Sequence, residues 1–119
     1  MAIVAVTTRP SAIRDFLVEL ADASREEVEV ETSGADALTR VKGEPPRLVV
    51  IDQGLPDVEP LKLVVEIMMV SAMTLTAVIT DMGEDEFHEA AEGYGVLMPL
   101  PADPQPADGR ALAEALRNT

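Results

Sequence analysis

Cysteine and tryptophan are both absent from the 119-residue sequence. Without a thiol, the chain can form neither disulfides nor thiolate metal sites, and it offers no cysteine nucleophile. Aromatic residues are scarce as well, at two Phe and one Tyr, although 47% of the residues are apolar. The core is therefore expected to be aliphatic, and stacking platforms for nucleic-acid bases are excluded.

Basic residues are also few, with 9 Lys and Arg against 22 Asp and Glu, and the formal net charge is −13. A nucleic-acid backbone or an anionic membrane surface would be repelled by this charge, so we expect no direct nucleic-acid ligand and no membrane association. The apolar run at the N-terminus lacks a basic flank and is far shorter than the roughly 20 residues of a membrane span. These features favour a cytoplasmic protein.

Short apolar runs alternate with stretches of helical period, as in a parallel sheet with crossover helices. The length predicts a single domain over residues 1–119. The predicted strands are Ala2–Val6, Val28–Val30, Leu48–Ile51, Leu75–Thr80 and Val96–Met98. The predicted helices start at Arg9-Pro10, span Ala37–Val41, Leu61–Met73 and Glu84–Glu92, and follow a loop PLPADPQPADG, where Leu112, Ala115 and Leu116 mark the last one. Glutamates alternating through the second strand favour an edge position.

The segment LVVIDQGLPDVEPLKLV resembles the receiver domains of bacterial response regulators (CheY-like), in which an apolar strand ends in Asp before a Leu-Pro turn and a helix. The five βα units extend the resemblance over the whole chain. It implies an α/β fold of the flavodoxin-like (CheY-like) (βα)5 type, a doubly wound five-stranded parallel sheet in the order 2-1-3-4-5. The functional site would lie at the carboxyl ends of strands one and three.

By this resemblance Asp52 matches the phosphoacceptor and Thr80 matches the hydroxyl residue that senses phosphorylation. The acid pair that holds Mg²⁺ in the family falls on Thr7 and Thr8, and the phosphate-pairing Lys falls on Leu100. Because a divalent cation must offset the charge of the phosphoryl donor, these replacements predict an atypical receiver with impaired Mg²⁺-dependent phosphorylation. The family also implies a cis bond before Pro101 in the following turn, and it commonly has an aromatic residue where Leu97 stands.

Three hypotheses stay open. In the first, Asp52 is either a vestigial site or only a strand-end carboxylate that caps backbone amides. A functional phosphorelay receiver that is phosphorylated on Asp52 would require Mg²⁺, the one cofactor under consideration. A flavodoxin-like protein with a small ligand in the same crevice is the third. His88 has no second ligand to make a metal site, and no motif supports catalysis, so we predict neither an enzyme nor a resident metal.

The third predicted helix is apolar nearly all round, more than one buried face requires. Val65, Met68, Met69 and Ala72 are expected to form an outward stripe on it, and adaptable methionine surfaces often serve binding. We therefore expect signalling by protein–protein interaction in a two-component-type pathway. The partner would be a histidine kinase, an output protein or a second copy of the chain. The competing explanation is that a neighbouring loop covers the helix.

Overall fold

Five parallel strands form the sheet of the computed structural model, which describes residues 2–119. The strands are β1 (Ile3–Val6), β2 (Val28–Glu31), β3 (Leu48–Ile51), β4 (Leu75–Ile79) and β5 (Val96–Leu100). Their spatial order is β2-β1-β3-β4-β5, which confirms the predicted doubly wound topology. Every residue of β1 and β3 is buried. Their unbroken apolar sequences follow from this, because helices cover both faces of a parallel sheet.

Five helices connect the strands: α1 (Arg14–Ser24), α2 (Gly34–Gly43), α3 (Pro60–Val70), α4 (Glu84–Ala91) and α5 (Pro106–Arg117). On one face of the sheet, α1 and α5 pack around Phe16, Leu20 and Leu112 in the first apolar core. On the other face, α2, α3 and α4 supply a second core that includes Ile67 and Phe87. Within residues 2–119, no helix combines the length and hydrophobicity needed to cross a bilayer.

The bounds of α1, α2 and α3 differ from the sequence prediction, and α2 spans Gly34–Gly43 where Ala37–Val41 was predicted. A turn over residues 10–13 precedes α1, so the helix begins at Arg14 and not at Pro10. Helix α3 ends at Val70, three residues before the predicted Met73. The hydroxyl groups of Ser71 and Thr74 are 2.8 Å apart, and such side-chain bonding competes with helix continuation.

The proline-rich segment before the last helix is more ordered than predicted. Proline is tolerated on an edge strand, and β5 accordingly runs through Pro99 to Leu100. Helix α5 begins at Pro106, inside the predicted loop. Gln105 and Asp108 form a reciprocal capping box there, and proline suits the first helical turn. Only residues 101–105 lie between the two elements.

Strand β2 lies at the edge of the sheet, as its glutamates predicted, and two of these glutamates pair with a cation of α2. Glu29 and Glu31 both pair with Arg40 of α2, and Glu31 lies 2.9 Å from it. The pKa of Arg40 is raised, chiefly by its hydrogen bond to Glu29. Val30, on the other face of the strand, is exposed. Arg40 of α2 therefore pairs with the acidic side chains on one face of β2.

Helices α1 and α5 touch at Gly109. A Cβ atom at this position would lie 2.8 Å from the carbonyl oxygen of Phe16 and 3.0 Å from the backbone nitrogen of Leu20. Since these neighbours are backbone atoms within a helix, they cannot move aside without shifting α1. Glycine at 109 thus sets the distance between the two helices.

Gly109→Ala should lower the free energy of unfolding by about 1–3 kcal/mol, the usual cost of overpacking a core. Urea denaturation would measure the loss. Gly43→Ala is the matched control, because nothing lies within 4 Å of a Cβ added there. Equal stability of Gly109→Ala and the wild type would show that the helices separate freely.

Candidate functional site

Asp52 lies directly after β3 and is fully buried. Its backbone N–H donates to the carbonyl of Val6 at 2.9 Å, which places it beside the end of β1. The connections from β1 and β3 leave in opposite directions along the sheet, and the crevice between two such strands is where doubly wound proteins bind ligands. This is the edge of the sheet at which the sequence prediction expected the site.

Both oxygens of the Asp52 carboxylate are engaged. Oδ2 accepts from the hydroxyl of Thr7 at 2.7 Å and from Nε of Arg9 at 2.9 Å. Oδ1 accepts from Nη2 of Arg9 at 3.0 Å and from the backbone N–H of Gln53 at 2.9 Å. A carboxylate offers about four lone-pair sites in total. Asp52 therefore has a full set of hydrogen bonds within the protein itself.

Arg9 is the cation of the site. Its two bonds to Asp52 form the bidentate pair that a planar guanidinium favours, and the hydrogen bond to Asp52 is the main reason that the pKa of Arg9 is raised. Nη2 also donates to the carbonyl of Ala102 at 2.6 Å. One side chain from the β1–α1 loop thus joins the loops that follow β3 and β5.

The two threonines at the family's acid positions have different surroundings. Thr7 is fully buried, donates to Asp52 and accepts the N–H of Arg9 at 3.0 Å. Thr8, the next residue, is exposed. Thr7 thus supports both partners of the ion pair without adding charge.

Within residues 2–119, no hydrogen bond joins Asp52 to the other predicted positions, which are Thr80, Leu97, Leu100 and Pro101. The hydroxyl of Thr80 accepts the N–H of Met82 at 3.1 Å in a local turn. Leu100 is buried in the core beneath α1 and α5, and Leu97 packs against that core. Pro101 is exposed.

The expected cis bond before Pro101 is wrong, because all peptide bonds between the described residues are trans. Trans is the intrinsically favoured isomer of an X–Pro bond by roughly 0.5–1 kcal/mol. In the family, by the resemblance, a lysine at this position pairs with the phosphate. Leu100 packs into the core instead, so the turn does not have to place a side chain at the site.

Sequence reasoning missed Arg9, which was interpreted only as part of a helix start. A signal was available, since Arg9 follows the end of the first strand by three residues and Asp52 follows the third strand directly. The carboxyl ends of neighbouring parallel strands meet at one edge of the sheet. A cation in the loop after one strand and a carboxylate directly after its neighbour predict an ion pair.

These residues do not fit a Mg²⁺ ion. Mg²⁺ prefers carboxylates and water in octahedral geometry, whereas the site holds one carboxylate whose oxygens are already occupied, a neutral threonine and a guanidinium. Among residues 2–119, no group of three or more His, Cys, Asp or Glu side chains is arranged to hold a metal. The positive charge beside Asp52 is that of Arg9.

A second carboxylate anchors the loop that leaves Asp52. Asp57 accepts the N–H groups of Gly34 and Ala35, both at 2.9 Å, at the start of α2. These bonds lower the pKa of Asp57, the bond from Gly34 most strongly. A Cβ at position 34 would collide with the side chain of Val58, so glycine lets the loop approach the helix.

Comparisons with known proteins identify the fold. No protein-family model matches the chain, and no curated protein sequence is similar to it. A CheY-like response regulator receiver domain protein from Methanospirillum hungatei JF-1 is 18% identical with a TM-score of 0.79, and the match covers 99% of this chain and 95% of that one. A two-component response regulator from Legionella pneumophila is 16% identical with a TM-score of 0.78, covering 100% and 99%. A receiver domain protein from Clostridium thermocellum is 17% identical with a TM-score of 0.78, covering 99% and 93%. The chain has the CheY-like receiver fold.

Arg9→Ala should destabilise the protein by about 2–3 kcal/mol, because it leaves a buried carboxylate unpaired. This is less than the roughly 3–5 kcal/mol of a fully buried pair, since 36% of the Arg9 side chain is exposed. Arg110→Ala is the control, because Arg110 pairs with Glu19 at the same 2.9 Å on the surface and should contribute under about 1 kcal/mol. Adding Asp52→Asn should recover part of the loss in a double-mutant cycle. Equal losses at Arg9 and Arg110 would refute the role of the buried pair.

Asp57→Asn should destabilise the protein in a pH-dependent way. A carboxyl group whose pKa is lower in the folded state contributes stability that is present well above its ordinary value, here 3.8, and is lost as the pH falls through the lowered value. The difference between wild type and variant should therefore shrink on acidification below 3.8. Urea unfolding at a series of pH values measures it, and Asp22→Asn on α1 controls for the loss of one charge. A difference that does not depend on pH would contradict the assignment.

Proposed function

We propose that the chain is an atypical receiver module of two-component-type signal transduction, which acts by binding other proteins and not by Mg²⁺-dependent phosphorylation of Asp52. Its fold is that of solved response regulators, one of them described as a two-component response regulator. The observation that carries the proposal is the complete set of hydrogen bonds on the Asp52 carboxylate.

A carboxylate becomes a phosphoacceptor when one of its oxygens attacks phosphorus with a free lone pair. At Asp52, that attack would first require breaking a bond to Arg9, Thr7 or Gln53. It would also require a dianionic donor to approach without a divalent cation to stabilise the transferred charge. The ion pair therefore opposes phosphorylation by occupying carboxylate lone pairs that the attack requires, and a single carboxylate gives Mg²⁺ few ligands.

On this proposal the protein is not an enzyme, and the loops around Asp52 keep one arrangement. Information is passed by contacts with a signalling partner, either a kinase or an output protein, in the cytoplasm. The acidic surface, with a net charge of −13, favours a partner that presents basic residues.

Incubation with acetyl phosphate and millimolar Mg²⁺ should leave Asp52 unmodified in the wild-type protein, as intact-mass spectrometry would show. The triple variant Thr7→Asp, Thr8→Asp, Arg9→Ala should gain Mg²⁺-dependent mass and Mg²⁺-induced chemical-shift changes near residue 52, because it frees the carboxylate and supplies two metal ligands. Leu100 is left unchanged, since a lysine there would enter the core.

The variant Thr8→Asp, Arg9→Ala provides a second test if the buried Thr7→Asp prevents folding. Adding Asp52→Asn to either variant is the matched control and should abolish the gain. Stoichiometric phosphorylation of wild-type Asp52 would overturn the proposal and establish the chain as a functional phosphorelay receiver.

A further inference from the structure

The outward stripe predicted on α3 is present only in part. Met68 and Met69 are exposed, Val65 is half-buried, and Ala72 lies on the turn beyond the helix. Met69 is 81% exposed, so no loop within residues 2–119 covers it. Residues 67–74 contain no charged side chain, and nothing in the structure shows what would cover this end of α3.

Three arginines lie together at the edge of the sheet opposite to Asp52. Arg25 follows α1, Arg47 directly precedes β3, and Arg117 is the last residue of α5. All three line one pocket of about 500 Å³, which we call the arginine pocket. Its volume is within the range of about 300–1,000 Å³ that is usual for small-molecule sites. Within the described chain, Asp22 is the one acidic residue that lines it.

Two of these arginines have unpaired guanidinium groups. Arg25 and Arg117 are exposed, and within residues 2–119 their side chains form neither a hydrogen bond nor an ion pair. Arg47 is held in place, because its Nη2 donates to the carbonyl oxygen of Leu116 at 3.1 Å and its Nη1 lies 3.7 Å from Glu26. The pocket therefore combines one fixed and two unpaired cations, whose mutual repulsion an anion would relieve.

The backbone of Arg25 makes the choice of arginine informative. Arg25 is the C-cap of α1 and, among the residues that the structure describes, the one non-glycine residue with a positive φ, at 59°. Glycine is the usual residue at such a position, because a Cβ atom is strained in the left-handed conformation. A cation is thus present where the backbone alone favours glycine.

A purely structural explanation is that the arginines compensate for the negative C-terminal ends of α1 and α5. In the last turn of α5, the carbonyl oxygen of Leu116 accepts from Arg47 and from both the N–H and the hydroxyl of Thr119. Arg25 and Arg117 donate to no helix carbonyl within the part of the chain that the structure describes. Their guanidinium groups are therefore available to a ligand.

We propose that the arginine pocket binds a phosphate group, either that of a small phosphorylated molecule or phosphate itself. A guanidinium pairs with two phosphate oxygens at once, and a dianionic phosphate gains more from three such groups than a carboxylate does. Among residues 2–119, no aromatic side chain lines the pocket, so the phosphate and not a stacked base is the group recognised. Asp52 lies at the other end of β3, so this site goes beyond the proposed function.

Inorganic phosphate is the probe, titrated into the full chain at constant ionic strength and followed by NMR. Saturable chemical-shift changes should concentrate on residues 22–25, 47 and 113–117. Arg25→Gly should weaken binding about threefold to tenfold. Because glycine suits the left-handed backbone, the same variant should be at least as stable as the wild type in urea. Arg14→Gln is the control, because it removes the same charge at the other end of α1 and should leave binding unchanged.

A second pair of variants repeats the test on α5. Arg117→Gln should weaken binding, whereas Arg110→Gln on the same helix lies outside the pocket and should not. Glycerol phosphate distinguishes the two sources of the phosphate group. Tighter binding than that of inorganic phosphate would identify a phosphorylated molecule as the occupant, and equal binding would identify phosphate itself.

Four outcomes would contradict the site. The first is the absence of saturable shifts at millimolar phosphate, and the second is equal weakening by Arg14→Gln and Arg25→Gly, which would show attraction to overall charge only. Loss of stability in Arg25→Gly and Arg117→Gln, without phosphate binding by the wild type, would assign both arginines to the helix ends. A wild-type dimer in sedimentation that becomes a folded monomer in the double variant would make acidic residues of a second copy the occupant. None of these measurements depends on Asp52, so this site and the proposed function can fail separately.

Discussion

The structure depends on the ion pair between Arg9 and Asp52. Taking a carboxylate out of water costs several kcal/mol unless opposite charge and hydrogen bonds compensate for it. Here one guanidinium supplies two of the four bonds that Asp52 accepts, while Thr7 and Gln53 supply the other two. Because Arg9 also binds the carbonyl of Ala102, the same interaction fixes three loops at the carboxyl end of the sheet.

The buried site around Asp52 contrasts with the exposed end of α3. Asp57 ties the loop after Asp52 to α2, and Gly109 allows α1 and α5 to touch, so the surroundings of the ion pair are constrained on several sides. By contrast, Met69 near the end of α3 and Met73 in the turn after it are exposed. On the proposed function, the exposed surface of the fold, and not the site around Asp52, makes the contacts with partners.

The resemblance implied the strand order, which the structure confirms, and the apolar run before Asp52 predicted its position at the end of β3. The extents of α1 and α3 were predicted less well, since a turn over residues 10–13 precedes α1 and a hydrogen bond between the Ser71 and Thr74 hydroxyl groups follows α3. Arg9 was missed for a different reason. Its partner lies 43 positions away in sequence, and only the meeting of two strand ends brings the charges together. The isomer at Pro101 was inferred from the resemblance, and the packing of Leu100 removed the basis for that inference.

The mutual dependence of Arg9 and Asp52 also constrains how such a site changes over evolutionary time. Losing Arg9 first leaves the buried Asp52 carboxylate without its counter-charge. Losing Asp52 first leaves Arg9 without its carboxylate partner and removes the candidate phosphoacceptor. Each of these single losses lowers the stability of the protein. The ion pair therefore links positions 9 and 52 in evolution, because a lineage that has acquired it can lose either partner only through a less stable protein.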